Sequence, residues 1–95
     1  MIFELLGTGA DNPITAKKLA KCLHVEPRDI SAMIEKERRE GKPICASCNG
    51  RKPGYYIPAT RKEMENYCGR LLHRAGEIHK TRKACLQTLG RLPAD

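Results

Sequence analysis

One change of hydrophobic period in the middle of the chain constrains its fold more than any other feature. From Ile14 to Arg39 the apolar residues recur at three- and four-residue steps, whereas from Pro43 to Ile57 they fall into two short runs around a basic, Gly/Pro-rich segment. The helical part carries its own punctuation. Thr15 is a good N-cap, Ile14 can staple onto Leu19, and Leu19, Ala20 and Leu23 form the inward stripe with Lys17, Lys18 and Lys21 outside. His24-Val25-Glu26 reads as a tight turn. Pro27 suits the first position of a second helix, where its missing N–H costs nothing. Ile30, Met33 and Ile34 make that helix's buried stripe, and Gly41 ends it with Arg38 and Arg39 in the last turn, the end that favours cations. Pro43 to Ala46 and Tyr55 to Ile57 then read as paired strands. The segment SCNGRKPG between them carries an Asn49-Gly50 turn signal and places Arg51 and Lys52 at the tip. Alternation across such a hairpin turns Cys45 and one of Tyr55 and Tyr56 inward.

The flanks complete this unit. Ile2, Phe3, Leu5 and Leu6 predict a short first helix that Gly7 and Gly9 stop, followed by a loop at Asp11-Asn12-Pro13. Thr60 with Glu63 is a capping box, and the proline-free stretch after it predicts one long helix to about Leu89. In that helix Met64, Leu71, Ile78 and Cys85 recur every seven residues, with Cys68, Ala75, Arg82 and Leu89 four further on; Tyr67 and Leu72 widen the stripe. A small hairpin cannot cover so long a helix, so its far half is expected to pack against a second copy of the chain. The expected fold class is mainly α with a small β-hairpin (α+β). Residues 1–60 form one module and residues 61–95 a C-terminal helical extension for dimerisation or partner binding.

Composition narrows the function classes. One Phe and no Trp leave an aliphatic core of Ile, Leu, Met and Ala. Eighteen Lys and Arg against eleven Asp and Glu, a net charge of +7, favour a polyanionic partner: nucleic acid or an anionic membrane surface. The long helix lacks the Trp and Phe that interfacial membrane binding uses, which sets the membrane reading aside. Five cysteines, an odd number, and an N-terminus without a basic n-region or a long apolar run point to reduced thiols and a cytoplasmic protein. Cys45-x-x-Cys48 has the spacing of half a zinc site, but Cys22, His24, Cys68, His73 and His79 form no second local pair, and His73 and His79 are six residues apart. No metal and no cofactor are expected. A Gly-rich phosphate loop, a nucleophile elbow and a His-Glu-x-x-His motif are all missing, so the chain does not read as an enzyme.

The ordered series Ile14-Thr15, Leu19-Ala20, Arg28, Ile30, Ile34, Arg38, Gly41, Pro43-Ile44, Gly54-Tyr55 and Ile57 resembles the winged helix-turn-helix of the biotin-repressor type, common in bacterial and phage regulators. The phrase RDISAMIEKERREGKPICAS is similar to small prophage-encoded proteins of that group. The resemblance covers about half the chain and not the part after Thr60. Glu37 departs from it, standing where the pattern is usually apolar. The resemblance implies sequence-selective binding of duplex DNA by a nucleoid-associated transcriptional regulator. The helix from Pro27 to Glu40 would lie in the major groove with Arg28, Ser31, Ala32 and Glu35 nearest the bases. Lys17, Lys18, Arg39, Arg51 and Lys52 would lie on phosphates, and a homodimer through the last helix would set half-site spacing. No small-molecule ligand is implied. The rival reading is a winged-helix protein-interaction module in a phage replication or assembly complex, favoured by the acidic Asp29, Glu35 and Glu37 on the second helix.

Overall fold

Capping residues set the helix boundaries in the computed structural model, which describes residues 1–47 and 50–94. Helix α1 (Ala16–Leu23) starts at Thr15, whose Oγ1 accepts the Lys18 amide at 3.2 Å. It ends at His24, which takes the left-handed conformation at φ 57°, and the Val25 amide closes back on the Ala20 carbonyl at 3.1 Å. Helix α2 (Pro27–Arg39) opens on its proline and ends before Gly41, at φ 99°. There the Gly41 and Lys42 amides satisfy the carbonyls of Arg38 and Glu37. Strands β1 (Cys45–Ala46) and β2 (Tyr55–Tyr56) pair antiparallel, Cys45 opposite Tyr56 and Ala46 opposite Tyr55. Helix α3 (Arg61–Thr88) follows, with a 3-10 turn at Leu89–Arg91. The fold is thus mainly helical, with one small antiparallel hairpin and a long C-terminal helix. Both strands are shorter than expected, and Asn49 of the expected turn lies outside the described residues.

The expected first helix is instead a single 3-10 turn, Phe3–Leu5. Leu6 already turns to extended backbone, at φ −82° and ψ 145°, ahead of the Gly7 break. The amides at the start of this segment have another acceptor: the Glu37 carboxylate takes the N–H of Ile2 at 2.8 Å and of Phe3 at 3.0 Å, and the Met1 amino group lies 3.2 Å from it. Glu37 is only 6 % exposed, so the departure from an apolar residue at this position supplies the acceptor that the buried Ile2 amide and the part-buried Phe3 amide require.

The hairpin separates two apolar clusters. On one side Ile2, Leu6, Leu19, Ala20, Ile30, Ile34 and Ile44 are buried together, with Ile14, Met33, Tyr55 and Ile57 packed on them. On the other side Cys45, Tyr56 and Tyr67 form a smaller cluster under Met64. The partition follows from the pleat, since neighbours along a strand face opposite ways. The chain before α1 closes the outer edge of the hairpin. Ile14 and Tyr55 exchange both backbone hydrogen bonds, at 2.9 and 2.8 Å, the Gly9 amide donates to Ile57, and the Ile57 amide donates to Gly7. That covers an edge which would otherwise offer itself to other strands.

Helix α3 is held by its first three turns. Thr60 Oγ1 accepts the Glu63 amide, while the Glu63 carboxylate accepts the amides of Ala59 at 2.7 Å and Ala10 at 3.2 Å. The capping-box glutamate therefore ties α3 to the N-terminal segment rather than closing only on its own cap. Tyr67 seats the helix on the hairpin, with the Arg38 guanidinium 5.0 Å and the Arg70 guanidinium 5.3 Å from its ring centroid. Those arginines also grip the strand: Arg38 Nε donates to the Ile44 carbonyl at 3.0 Å and Arg70 Nη2 to the Ala46 carbonyl at 2.8 Å.

Candidate nucleic-acid interface

The buried stripes of α1 and α2 leave their opposite faces to solvent, and those faces carry most of the residues expected to meet a polyanion. Lys17 and Lys18 are exposed on α1, opposite buried Leu19 and Ala20. Arg28, Ser31, Ala32, Glu35 and Arg39 are exposed on α2, opposite buried Ile30 and Ile34. Arg51 and Lys52 are exposed at the tip of the hairpin.

Parts of this set share two surface depressions. Ala32, Glu35 and Arg39 line a shallow concavity on α2 together with Lys36 and Glu40. Ser31 and Glu35 line a groove between α2, the hairpin and α3, whose other walls include Arg38, Tyr55, Tyr67 and Arg74. Lys36 and Arg74 are thus cations beside the candidate set that the sequence reading did not include. Lys36 had a signal, being one turn from both Ala32 and Glu40 on the outward face. Arg74 had none, because only the tertiary docking of α3 brings it to α2.

The electrostatics of the α2 face are mixed. Glu35 Oε2 lies 3.8 Å from Arg38 Nη1 and its Oε1 3.8 Å from Arg39 Nε, so the acid partly neutralises the arginine expected to hold a phosphate. Arg38, only 21 % exposed, is committed to the Ile44 carbonyl and Tyr67 and not to the outer surface. Asp29 sits in the first turn of α2, where it complements the helix dipole. The net positive charge is concentrated elsewhere: residues 66–94 hold six Lys and Arg against one acidic residue, Glu77.

Among the described residues the thiols show no assembled site. Cys45 is fully buried, and burial pushes its thiol above the ordinary cysteine range, which disfavours the thiolate that metal binding requires. Its sequence neighbour in the x-x spacing, Cys48, lies outside the described residues. Cys22, Cys68 and Cys85 are exposed, and among the described residues no three His, Cys, Asp or Glu side chains gather as a metal-binding set. Among the described residues no helix is long and apolar enough to cross a membrane.

Set against protein-family models, curated proteins and solved structures, the chain matches none of them.

Proposed function

We propose that residues 1–60 are a winged helix-turn-helix module that binds duplex DNA sequence-selectively, as a small bacterial or phage transcriptional regulator acting at the nucleoid, and that α3 joins two copies. The observation that carries this reading is the sequel to α2. A helix whose outward face is wholly exposed runs directly into a hairpin with two exposed cations at its tip, Arg51 and Lys52. In this reading α2 enters the major groove, where Arg28 can read guanine and Glu35 can accept from cytosine N4, with Ser31 and Ala32 beside them. Lys17, Lys18, Arg39, Arg51 and Lys52 hold the backbone on either side of the groove and supply salt-dependent affinity without sequence information. The chemistry is binding only, with no catalytic step, cofactor or small-molecule ligand.

Selection of bound duplexes from a randomised pool tests the assignment of roles. The parent is expected to enrich one motif. Arg28→Ala should relax the preference at one position by about 1–3 kcal/mol, whereas Lys17→Ala with Lys18→Ala should weaken all sequences alike. A pool that stays random after repeated selection overturns sequence-selective binding. One observation favours the rival reading, a protein-interaction winged helix of a phage replication or assembly complex: Glu35 beside Arg39 on the outward face of α2. That reading predicts no retention of duplex even at low salt.

A further inference from the structure

We infer that the distal half of α3 pairs with the same segment of a second copy of this chain in antiparallel orientation, the twofold axis passing beside position 80. This deepens the reading of α3 as the element that joins two copies, and it rests on that reading. Every described residue from 71 to 94 is exposed, including Leu71 at 41 %, Ile78 at 61 % and Leu89 at 63 %. Leu71, Ala75, Ile78, Arg82, Cys85 and Leu89 lie at alternating steps of four and three, which places them on one stripe of the helix. Most of a helix's stability comes from packing its apolar face, so a stripe of this kind is stabilised by being covered.

The stripe is self-complementary only when reversed. Its steps read the same from either end, so an antiparallel copy falls into register along its whole length. Leu71 then faces Leu89 of the second copy, Ala75 faces Cys85, and Ile78 faces Arg82, each contact being repeated by the twofold. Large residues meet large ones, and the two small ones meet each other. Arg82 lays its aliphatic stem on Ile78 and carries its guanidinium out to water. A parallel pair would instead set Arg82 against Arg82 across the seam, two like charges brought together with no apolar partner for either stem. Charge also gives the association a signature. With six Lys and Arg against Glu77 in residues 66–94, two copies repel each other, so apolar burial must drive pairing and added salt must strengthen it by screening. Phosphate binding has the opposite salt dependence. Failure of the dimer and failure of DNA binding are therefore separately visible.

The test uses the full chain with Cys22, Cys48 and Cys68 replaced by Ser. Sedimentation equilibrium should show a dimer that tightens between about 50 mM and about 500 mM salt. Ile78→Lys, which sets a second cation against Arg82 of the other copy, should weaken it about tenfold or more while circular dichroism shows the helices retained. Orientation is read by mild oxidation of the same chain carrying Ala75→Cys. In the antiparallel pair the two Cys85 lie about 15 Å apart along the axis, beyond the roughly 7 Å Cα separation a disulfide spans, whereas position 75 lies opposite Cys85. Peptide mapping should then find the fragment containing position 75 linked to the fragment containing Cys85. A dimer that links Cys85 to Cys85 overturns the antiparallel orientation and leaves α3 as the joining element. A monomer at every concentration and salt overturns both, whatever the chain does with DNA.

Discussion

Gly54 sits against the backbone of Ile14 so closely that a Cβ on it would lie 2.5 Å from the Ile14 carbonyl oxygen. Its φ of 138° is itself one that side-chain-bearing residues rarely adopt. The two constraints coincide because the Ile14–Tyr55 backbone pair, one residue on, draws the chain before α1 onto the outer edge of β2. Gly54→Ala must therefore open that pair or shift the backbone, and it is expected to cost about 2–4 kcal/mol. Urea denaturation should show the midpoint falling with little change in slope. An unchanged midpoint would mean that the close approach is not a feature of the native hairpin.

Glu37 gives the fold a carboxylate on which acid stability depends. Burial pushes its carboxyl up, and the amides of Phe3 and Ile2 together with the Met1 amino group more than offset that, so its pKa lies below the ordinary glutamate value. A carboxyl held lower in the folded state contributes stability above its unfolded pKa, near 4.3 for a free Glu, and that contribution is lost as pH falls through the folded value. Glu37→Leu restores the apolar residue of the winged-helix pattern but strands two amides, at about 1–3 kcal/mol for each one left buried. The variant should be less stable than the parent at pH 7 and lose less on acidification below pH 4, as read by denaturant midpoints across that range. Equal stability of the two proteins at pH 7 would contradict the role assigned to Glu37.

Tyr67 should account for most of the docking of α3. Tyr67→Ala empties the smaller cluster and removes the ring between Arg38 and Arg70, for an expected loss of about 3 kcal/mol. Leu71→Ala, one residue beyond the docked turns and 41 % exposed, should cost the isolated chain much less. Thermal melts of both variants at low protein concentration check the contrast. Similar losses would mean that α3 is held along its length and not by its first turns.

Glu35→Gln should strengthen non-specific duplex binding by about fivefold, since it removes an acid from the α2 face and releases Arg39 from its partner. It should also weaken any preference for cytosine that Glu35 reads. Anisotropy titrations with the selected site and with an unrelated duplex separate the two effects. An unchanged non-specific affinity would place Glu35 outside the DNA-facing surface.

Local chemistry was legible in the sequence and long-range pairing was not. Thr15, Pro27, Gly41 and Thr60 act within a turn of themselves, and each marks the helix boundary its residue type implies. Strand alternation turned Cys45 and one of the two tyrosines inward without saying which; the structure buries Cys45 and Tyr56. The N-terminal segment misled because its apolar spacing is helical while its amides are taken by a carboxylate 35 residues away. Arg38 read only as a last-turn cation, yet it turns inward to the Ile44 carbonyl just before β1; Arg70 carried no reading, since its acceptor, the Ala46 carbonyl, lies 24 residues away and leaves no local trace. At the candidate interface, Lys17, Lys18, Arg28 and Arg39 fall outward wherever Leu19, Ala20, Ile30 and Ile34 fall inward, so their exposure follows from the helical period. The contribution of Arg74 depends on the docking of α3 and could not be read from spacing.

The most direct test of the central claim is duplex DNA affinity as a function of salt, for the parent and for Arg51→Glu combined with Lys52→Glu. The parent should bind, with log affinity falling linearly against log salt at a slope of about −0.9 for each phosphate neutralised. The double variant should lose both affinity and about two phosphates' worth of that slope. Failure of the parent to bind duplex at low salt, or a variant that matches the parent in affinity and slope, would contradict the account.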